Sequence, residues 1–490
     1  MANQAQLFID GRQVAGEGER FAIVSPGTEE TLGELAGASA AQIEQAIKAA
    51  RVSHDRGSWS GLAGGERVEV LRRFMHYLAA QRERLIELSV NEAGCPVGAQ
   101  VMAAQVHLPL QHGFQILDLY QTLPAFEDNP LPFAERVSAR GVVQSLRRHT
   151  PVGVVAAISA YNYPFFTNLW KVLPALITGN SVILRPSPLT PLSALIFAEA
   201  AEAAGLPNGV LNVIAEAGAQ GAIALSTHPD VDMVAFTGSS AVGKQVMIQA
   251  APTMKRLQLE LGGKSAQIFL PDAVAQSRGA AAAVCLAHAG QGCALGTRIF
   301  VPQADKAAAM EAMAAVFKGI AIGDPADPKT TLGPVISAAQ RERCQRYVDL
   351  AVDAGAKVIC GGKVPSSPAK GFFFEPTILD VPDNRNPAAQ EEIFGPVVCV
   401  IGYRDIDHAV EMANDSVYGL SGYVHGKDVK QAVDVAARLR TGTVNVNGGA
   451  MSAYASSGGW HSSGVGRERG VEGLRIYQNV QVMNIKTGEA

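Results

Sequence analysis

Residues 152–236 decide the fold. VGVVAAIS (152–159), SVILR (181–185), VLNVI (210–214) and DMVAF (232–236) are short apolar runs separated by longer segments of helical pattern. That rhythm marks a parallel sheet covered by helices, because parallel neighbours need a crossover long enough to return to the starting end of the sheet. Pro164 suits the first turn of one such helix, where its missing N–H costs nothing, and Gly179-Asn180 closes it. The next helix is predicted from about Pro191 to Ala204, with a stop at Gly205.

Outward from this stretch, the alternation restarts beyond Gly262-Gly263 with SAQIFL (265–270), an alanine-rich helix up to His288, and TRIFV (297–301). A second α/β domain is therefore expected. Upstream, to about Leu123, the pattern is helical after an initial strand pair. RVSARGVVQSLRRHT (136–150) and YQNVQVMNIK (477–486) read as polar, alternating ribbon strands, expected to lie outside both domains and to pair with another subunit. There is no internal repeat or low-complexity tail.

A chain of 490 residues exceeds what one hydrophobic core can serve. Its 48% hydrophobic and 18% charged residues exclude a mostly disordered polymer. The balance of 41 basic and 45 acidic residues, 41 − 45 = −4, comes with no long run of one sign, so neither nucleic acid nor an anionic membrane is an expected partner. Cys95, Cys285, Cys293, Cys344, Cys360 and Cys399 form no CxxC pair, which argues against a disulfide framework or zinc cage and suits a reducing compartment. The first residues lack the order of a secretory signal, and the most apolar stretch, Gly279 to Gly296, is broken by His288 and Gln291. A cytoplasmic protein without a bound metal is expected.

The dinucleotide fingerprint GxGxxG is absent; Gly464-x-Gly466-x-x-x-Gly470 has the wrong spacing. GSSAVGKQ (238–245) follows a strand and matches the phosphate loop GxxxxGK, but Gln245 stands where a hydroxyl should hold magnesium, so an ATPase loses its metal ligand. The turn of Thr237, Gly238, Ser239 and Ser240 into a helix still makes a good anion site, with unpaired N–H groups facing outward. Cofactor phosphate is the expected occupant. Cys293 in GQGCALG, taken alone, reads as a small buried hydrophobe, Glu260 as a solvated carboxylate and Asn162 as a turn residue. Together they stand out, because Glu260 and Asn162 lie at the ends of predicted strands, where α/β folds collect active-site groups.

YNYP (161–164), FTGSSAVGK (236–244), LELGGK (259–264), GQGC (290–293), EEIFGPV (391–397) and SGVGRE (463–468) occur in this order, and with them the chain resembles the aldehyde dehydrogenase superfamily from LFIDG (7–11) to the terminal ribbon. The resemblance implies an α/β fold of two Rossmann-like parallel-sheet domains plus a small β-ribbon for oligomerisation. The divisions are 1–126 with 147–261 for dinucleotide binding, 262–470 for catalysis, and 127–146 with 471–490 for the ribbon. It implies an NAD- or NADP-dependent, hydrolytic oxidation of an aldehyde, with Cys293 as nucleophile, Glu260 as general base, Asn162 as oxyanion donor and Lys171 supporting the proton path. Cofactor contacts are implied at Ile158, Ser159, Arg185, Ser187, Gly238, Ser239, Leu261, Gly262, Glu392 and Phe394, and a homodimer or homotetramer is the expected assembly.

The chemistry asks for the same residue types. A thiolate attacks an aldehyde carbon readily, but a free cysteine with a pKa of about 8.5 is mostly protonated at neutral pH and needs help to lose its proton. The oxygen left negative by that attack needs donors, which the Asn162 amide and the Cys293 N–H supply. The thioester that follows needs a base to activate water, a role for Glu260 that argues against transfer to coenzyme A. Coenzyme A-acylating and semialdehyde-oxidising relatives, and a catalytically silent member used for binding or structure, are the competing readings.

Two segments depart from the family pattern. Arg185-Pro186-Ser187-Pro188 replaces lysine-proline followed shortly by glutamate, so Pro188 lacks a carboxylate for ribose and Arg185 could hold a 2′-phosphate, leaving NADP as open as NAD. Ser456-Ser457-Gly458-Gly459 replaces proline-phenylalanine-glycine-glycine, after the loop GGAMSAYAS that should border the substrate mouth. Tyr163, Trp170, Phe114 and Leu117 are expected to line an aromatic and aliphatic tunnel, with Gly292 and Ala294 leaving space beside the thiol. No clear arginine pair awaits a carboxylate tail or terminal phosphate, which favours a medium-length aliphatic or aromatic aldehyde.

Overall fold

The computed structural model describes residues 6–138, 141–449 and 452–487. Two sheets dominate it. The first runs Arg12–Val14, Leu7–Ile9, Leu211–Val213, Ser181–Arg185, Val154–Ile158, Met233–Thr237, Arg256–Glu260, Gly464–Val465. Its five central strands are parallel and the outer ones antiparallel. The parallel strands are buried on both faces, which explains why they read as continuous apolar runs instead of alternating.

Val154–Ile158 comes first of these five in sequence. The next two extend the sheet to one side and the last two to the other, so the strand order reverses between Val154–Ile158 and Met233–Thr237. A crevice at the carboxyl ends of strands on either side of such a reversal is where open α/β sheets bind ligands.

The helix Pro164–Ile177 buries every residue except Phe166, which places Lys171 in the interior. Leu192–Ala204 ends on Gly205 at φ +73°, a left-handed turn that suits glycine. The second sheet runs Lys357–Cys360, Thr377–Asp380, Val397–Tyr403, Arg298–Pro302, Ala266–Phe269, Ser421–His425, Thr443–Val446, parallel but for its first pair. Gln478–Thr487 pairs antiparallel with Gly141–Pro151, and Phe126–Asp128 joins the latter's other side.

Three local expectations differ from the structure. The N-terminal region holds a second antiparallel pair, Arg20–Val24 with Thr31–Ala36, before its helices begin. The alanine-rich helix is shorter than expected: a tight turn at Val274–Gly279 precedes Ala280–Leu286, and His288 and Ala289, at φ +52° and +51°, cannot continue it. Gly464–Val465, numbered within the expected second domain, crosses back to pair with Leu259 and Glu260 at the edge of the first sheet. Among the described residues, no helix is long and apolar enough to cross a membrane.

Candidate active site

The site is built where strands end. Glu260 is the last residue of Arg256–Glu260, and its carbonyl accepts a hydrogen bond from the Gly238 N–H at 3.1 Å. Asn162 lies in the turn between Val154–Ile158 and the helix starting at Pro164, and Cys293 lies in the loop between Ala280–Leu286 and Arg298–Pro302. The two turns are tied together: the Asn162 amide donates to the Gln291 carbonyl at 2.8 Å, and Gln105 donates to the Asn162 carbonyl at 2.8 Å. Gln291 is in turn held by the Ile336 N–H, 2.9 Å from its Oε1. These bonds fix the backbone that carries the thiol.

Two cavities meet at Cys293. One, of about 250 Å³, is lined by Gly238, Ser239, Leu261, Gly262, Glu392 and Phe394; the other, of about 410 Å³, by Tyr163, Phe166, Ala294, Tyr423, Ser457 and Arg469. Asn162, Thr237, Glu260 and Cys293 line both. The sequence-selected nucleophile, base and oxyanion donor are thus brought to one junction.

Burial is the largest influence on the Cys293 thiol, pushing its pKa up to about 12, with Glu260, Glu392 and Glu468 adding to the shift. Burial also raises Glu260 to about 8, helped by the charge of Glu468 and opposed by Lys171, Arg469 and Arg467. Glu260 Oε1 has no hydrogen-bond partner, so one carboxylate oxygen is available for a proton or water. Lys171 donates to Glu468 at 3.0 Å and to Gln258 at 3.3 Å.

The smaller cavity has the features of a dinucleotide cleft. Helix Ser240–Ala250 starts at its wall, capped by Ser239, whose Oγ accepts from the Val242 N–H at 3.3 Å. A Cβ on Gly262 would sit 2.5 Å from Glu392 Oε2, so a side chain there would displace that carboxylate. Glu392 Oε1 accepts from the Gly263 N–H at 2.9 Å. Phe394, at φ +62°, sets its ring edge-on to Tyr161 at 6.0 Å. Gln340 and Arg343, which no sequence motif singled out, also line this cleft and donate to the carbonyls of Phe394 and Glu392.

Other expected contacts lie elsewhere. Arg185 does not present a fork to a 2′-phosphate: its Nε donates to Glu216 at 2.8 Å and its Nη2 to the Gly218 carbonyl, both side chains being buried. Glu216 also accepts from the N–H groups of Gly221 and Ala222, which completes a structural knot. Ile158 packs in the core, Ser159 donates to buried Asn168 at 2.5 Å, and the Ser187 hydroxyl accepts from Leu189. None of these four lines the cleft.

Of the residues expected around the substrate, Tyr163 and Ala294 line the larger cavity, whereas Phe114, Leu117, Trp170 and Gly292 do not. Leu117 is fully buried in the first core, Phe114 packs against that core, and Trp170 lies beneath the Arg469 guanidinium. Gly292 faces Leu295, whose side chain a Cβ there would meet at 2.9 Å. His288 is buried against Tyr163, and burial lowers its pKa to about 4, consistent with a structural role. Of the loop expected at the mouth, Ser452 and Ala455 line the cavity, while Ala450 and Met451 fall outside the described residues. One arginine, Arg469, directly after SGVGRE, forms part of the wall of this cavity. Phe166 and Tyr423, which also line it, were missed for want of any local motif.

The aldehyde dehydrogenase family model matches residues 13–483. A geranial dehydrogenase of Castellaniella defragrans is 37% identical over 475 residues, covering 96% of this chain and 97% of that one. A 3-succinoylsemialdehyde-pyridine dehydrogenase of a Pseudomonas species is 35% identical, with 99% of each chain covered. Among solved structures, a mutant aldehyde dehydrogenase C of Pseudomonas syringae, in complex with NAD+ and octanal, superposes with a TM-score of 0.92 at 36% identity, covering 98% of this chain and 96% of that one. The chain belongs to the aldehyde dehydrogenase family of NAD(P)-dependent oxidoreductases.

Proposed function

We propose that this chain oxidises a medium-length aliphatic or aromatic aldehyde to its carboxylic acid through a thiohemiacetal and then a thioester on Cys293. The observation that carries this reading is the position of Cys293 at the junction of two cavities, with Asn162 and Glu260 lining both.

Because burial keeps the thiol protonated, attack on the aldehyde has to be coupled to proton loss. Glu260, with one unpartnered oxygen, takes that proton directly or through water. The Asn162 amide has one N–H committed to Gln291 and a second to offer the developing oxyanion, alongside the backbone N–H of Cys293. NAD or NADP, held by Gly238, Ser239, Leu261, Gly262, Glu392 and Phe394, supplies the hydride acceptor when bound. Glu260 then activates water to release the acid, and buried Lys171 with Glu468 tunes its charge.

Tyr163, Phe166, Leu420 and Tyr423 provide apolar wall for the body of the aldehyde. At residue 188 no carboxylate repels a 2′-phosphate, and the Arg185 guanidinium is already committed, so both dinucleotides serve. The six unpaired cysteines suit a cytoplasmic setting, and the ribbon, with Val480 and Val482 exposed, supports a homodimer or homotetramer. The test follows the absorbance of reduced nicotinamide over an aldehyde panel, with each dinucleotide and with or without coenzyme A. Acid formation without coenzyme A is expected; strict dependence on coenzyme A would overturn the hydrolytic route.

A further inference from the structure

Gln105 is a polar side chain in an apolar setting. It is fully buried, its turn neighbours Met102 and Val106 belong to the first core, and it lines neither of the two cavities at Cys293. The turn that carries it, Ala103–His107, is of the wide π type: the Leu108 N–H reaches back five residues to the Ala103 carbonyl. Such turns insert one extra residue into a helix, are rare, and recur at functional sites. This one packs against the helix Pro164–Ile177.

The Gln105 Nε2 donates to the Asn162 carbonyl at 2.8 Å, while its Oε1 has no partner. A carbonyl can only accept, so the amide nitrogen has to face Asn162. An orphaned buried acceptor is costly, and an apolar side chain would fill the same space without one, so packing alone does not account for a glutamine here. Asn162 precedes Tyr163, the cap of the helix, whose own carbonyl receives the Thr167 N–H at 2.8 Å. The Asn162 carbonyl therefore lies one residue outside the helical ladder, and Gln105 serves it instead. At its other end Asn162 donates to the Gln291 carbonyl at 2.8 Å, two residues from Cys293. Backbone and side chain of Asn162 are thus gripped separately, the first by Gln105 and the second by the loop of the thiol.

We propose that Gln105 is a positioning residue for the oxidation at Cys293: it acts only through the Asn162 carbonyl, and by fixing that peptide it aims the remaining N–H of the Asn162 amide at the oxyanion. This rests on the oxyanion role of Asn162 proposed above and adds the residue that sets its direction. A peptide held at its carbonyl resists rocking about its flanking bonds, and such rocking would swing the Cα–Cβ bond and the amide beyond it. A misplacement of about 1 Å at a catalytic group costs about 10²-fold in rate, so a single bond behind Asn162 has a measurable effect on turnover.

The test measures kcat and KM of the full-length enzyme in Gln105→Met, in Asn162→Ala and in the double variant. Gln105→Met is expected to lower kcat by about 10- to 10²-fold, with KM for aldehyde and dinucleotide within about twofold of the unaltered values. In the Asn162→Ala background the same change should move kcat by less than about twofold, because the donor that Gln105 serves is gone. Gln105→Glu, nearly isosteric, reads the bond even where the methionine variant does not fold. Its protonated carboxyl donates to Asn162 and its ionised form repels that carbonyl, so kcat relative to the unaltered enzyme should fall between about pH 6 and pH 10. Unchanged kcat in Gln105→Met, a full further loss in the Asn162→Ala background, or a relative kcat of Gln105→Glu that does not fall with pH would each overturn the inference. A loss in Asn162→Ala with none in Gln105→Met removes Gln105 alone; full kcat in Asn162→Ala removes the oxyanion role and this inference with it.

Discussion

Lys171 Nζ and Glu468 Oε1 are 3.0 Å apart, with the lysine fully buried and the glutamate on the wall of the aldehyde cavity. Their charges act on Glu260 with opposite sign: Glu468 raises its pKa and Lys171 lowers it. Removing either partner should therefore move the pH profile in opposite directions. For Glu468→Gln the rising limb of kcat/KM is expected at lower pH than in the unaltered enzyme, and for Lys171→Met at higher pH. Shifts of the same sign in both variants would show that the pair acts through folding alone.

Glu260 itself should set that limb. Its raised pKa means that the base form gains population as pH rises through about 8, so hydrolytic turnover should climb across that range. In Glu260→Gln the limb should disappear and steady turnover fall by about 10²- to 10⁴-fold, the usual worth of a positioned base. If another acceptor serves the first step, stopped flow should reveal a burst of reduced cofactor before the slow phase. Full steady turnover would remove Glu260 from its role.

Asn162→Ala removes a donor to the oxyanion and also the bond to the Gln291 carbonyl. A loss of about 10²- to 10³-fold in kcat is expected from the first effect. Asn162→Asp keeps the size of the side chain but not its N–H donors, and should not restore the rate.

Arg185→Met separates a structural role for this side chain from a cofactor role. Breaking the buried pair with Glu216 leaves an unbalanced carboxylate and should cost about 3 kcal/mol of stability in chemical denaturation. The ratio of kcat/KM for NADP over NAD should stay put. A selective loss of NADP use would return Arg185 to the cofactor.

Much of this was legible in sequence because it is local. The strands Val154–Ile158 and Ser181–Arg185 are buried on both faces and read as unbroken apolar runs; the turns after Val154–Ile158 and Met233–Thr237 place Asn162 and Gly238 near strand ends, where chemistry collects. The pairing of Arg185 was not legible because its partner, Glu216, lies 31 residues away, a distance that no motif encodes. Phe114 and Leu117 lie on an apolar face of the helix Leu108–Gln121, and periodicity says that such a face is covered without saying by what. Arg469 adjoins a motif that was recognised, but its orientation onto Phe166 and Trp170 depends on two segments far apart in sequence meeting.

The central claim is that Cys293 is esterified during turnover. Rapid quenching of enzyme, oxidised dinucleotide and a competent aldehyde, followed by peptide mass spectrometry, reads this directly. A mass increase equal to the acyl group of the aldehyde, confined to the peptide carrying Cys293 and absent in Cys293→Ala, is the expected result. Turnover with no adduct on that peptide at any quench time, or undiminished oxidation by Cys293→Ala, would contradict it.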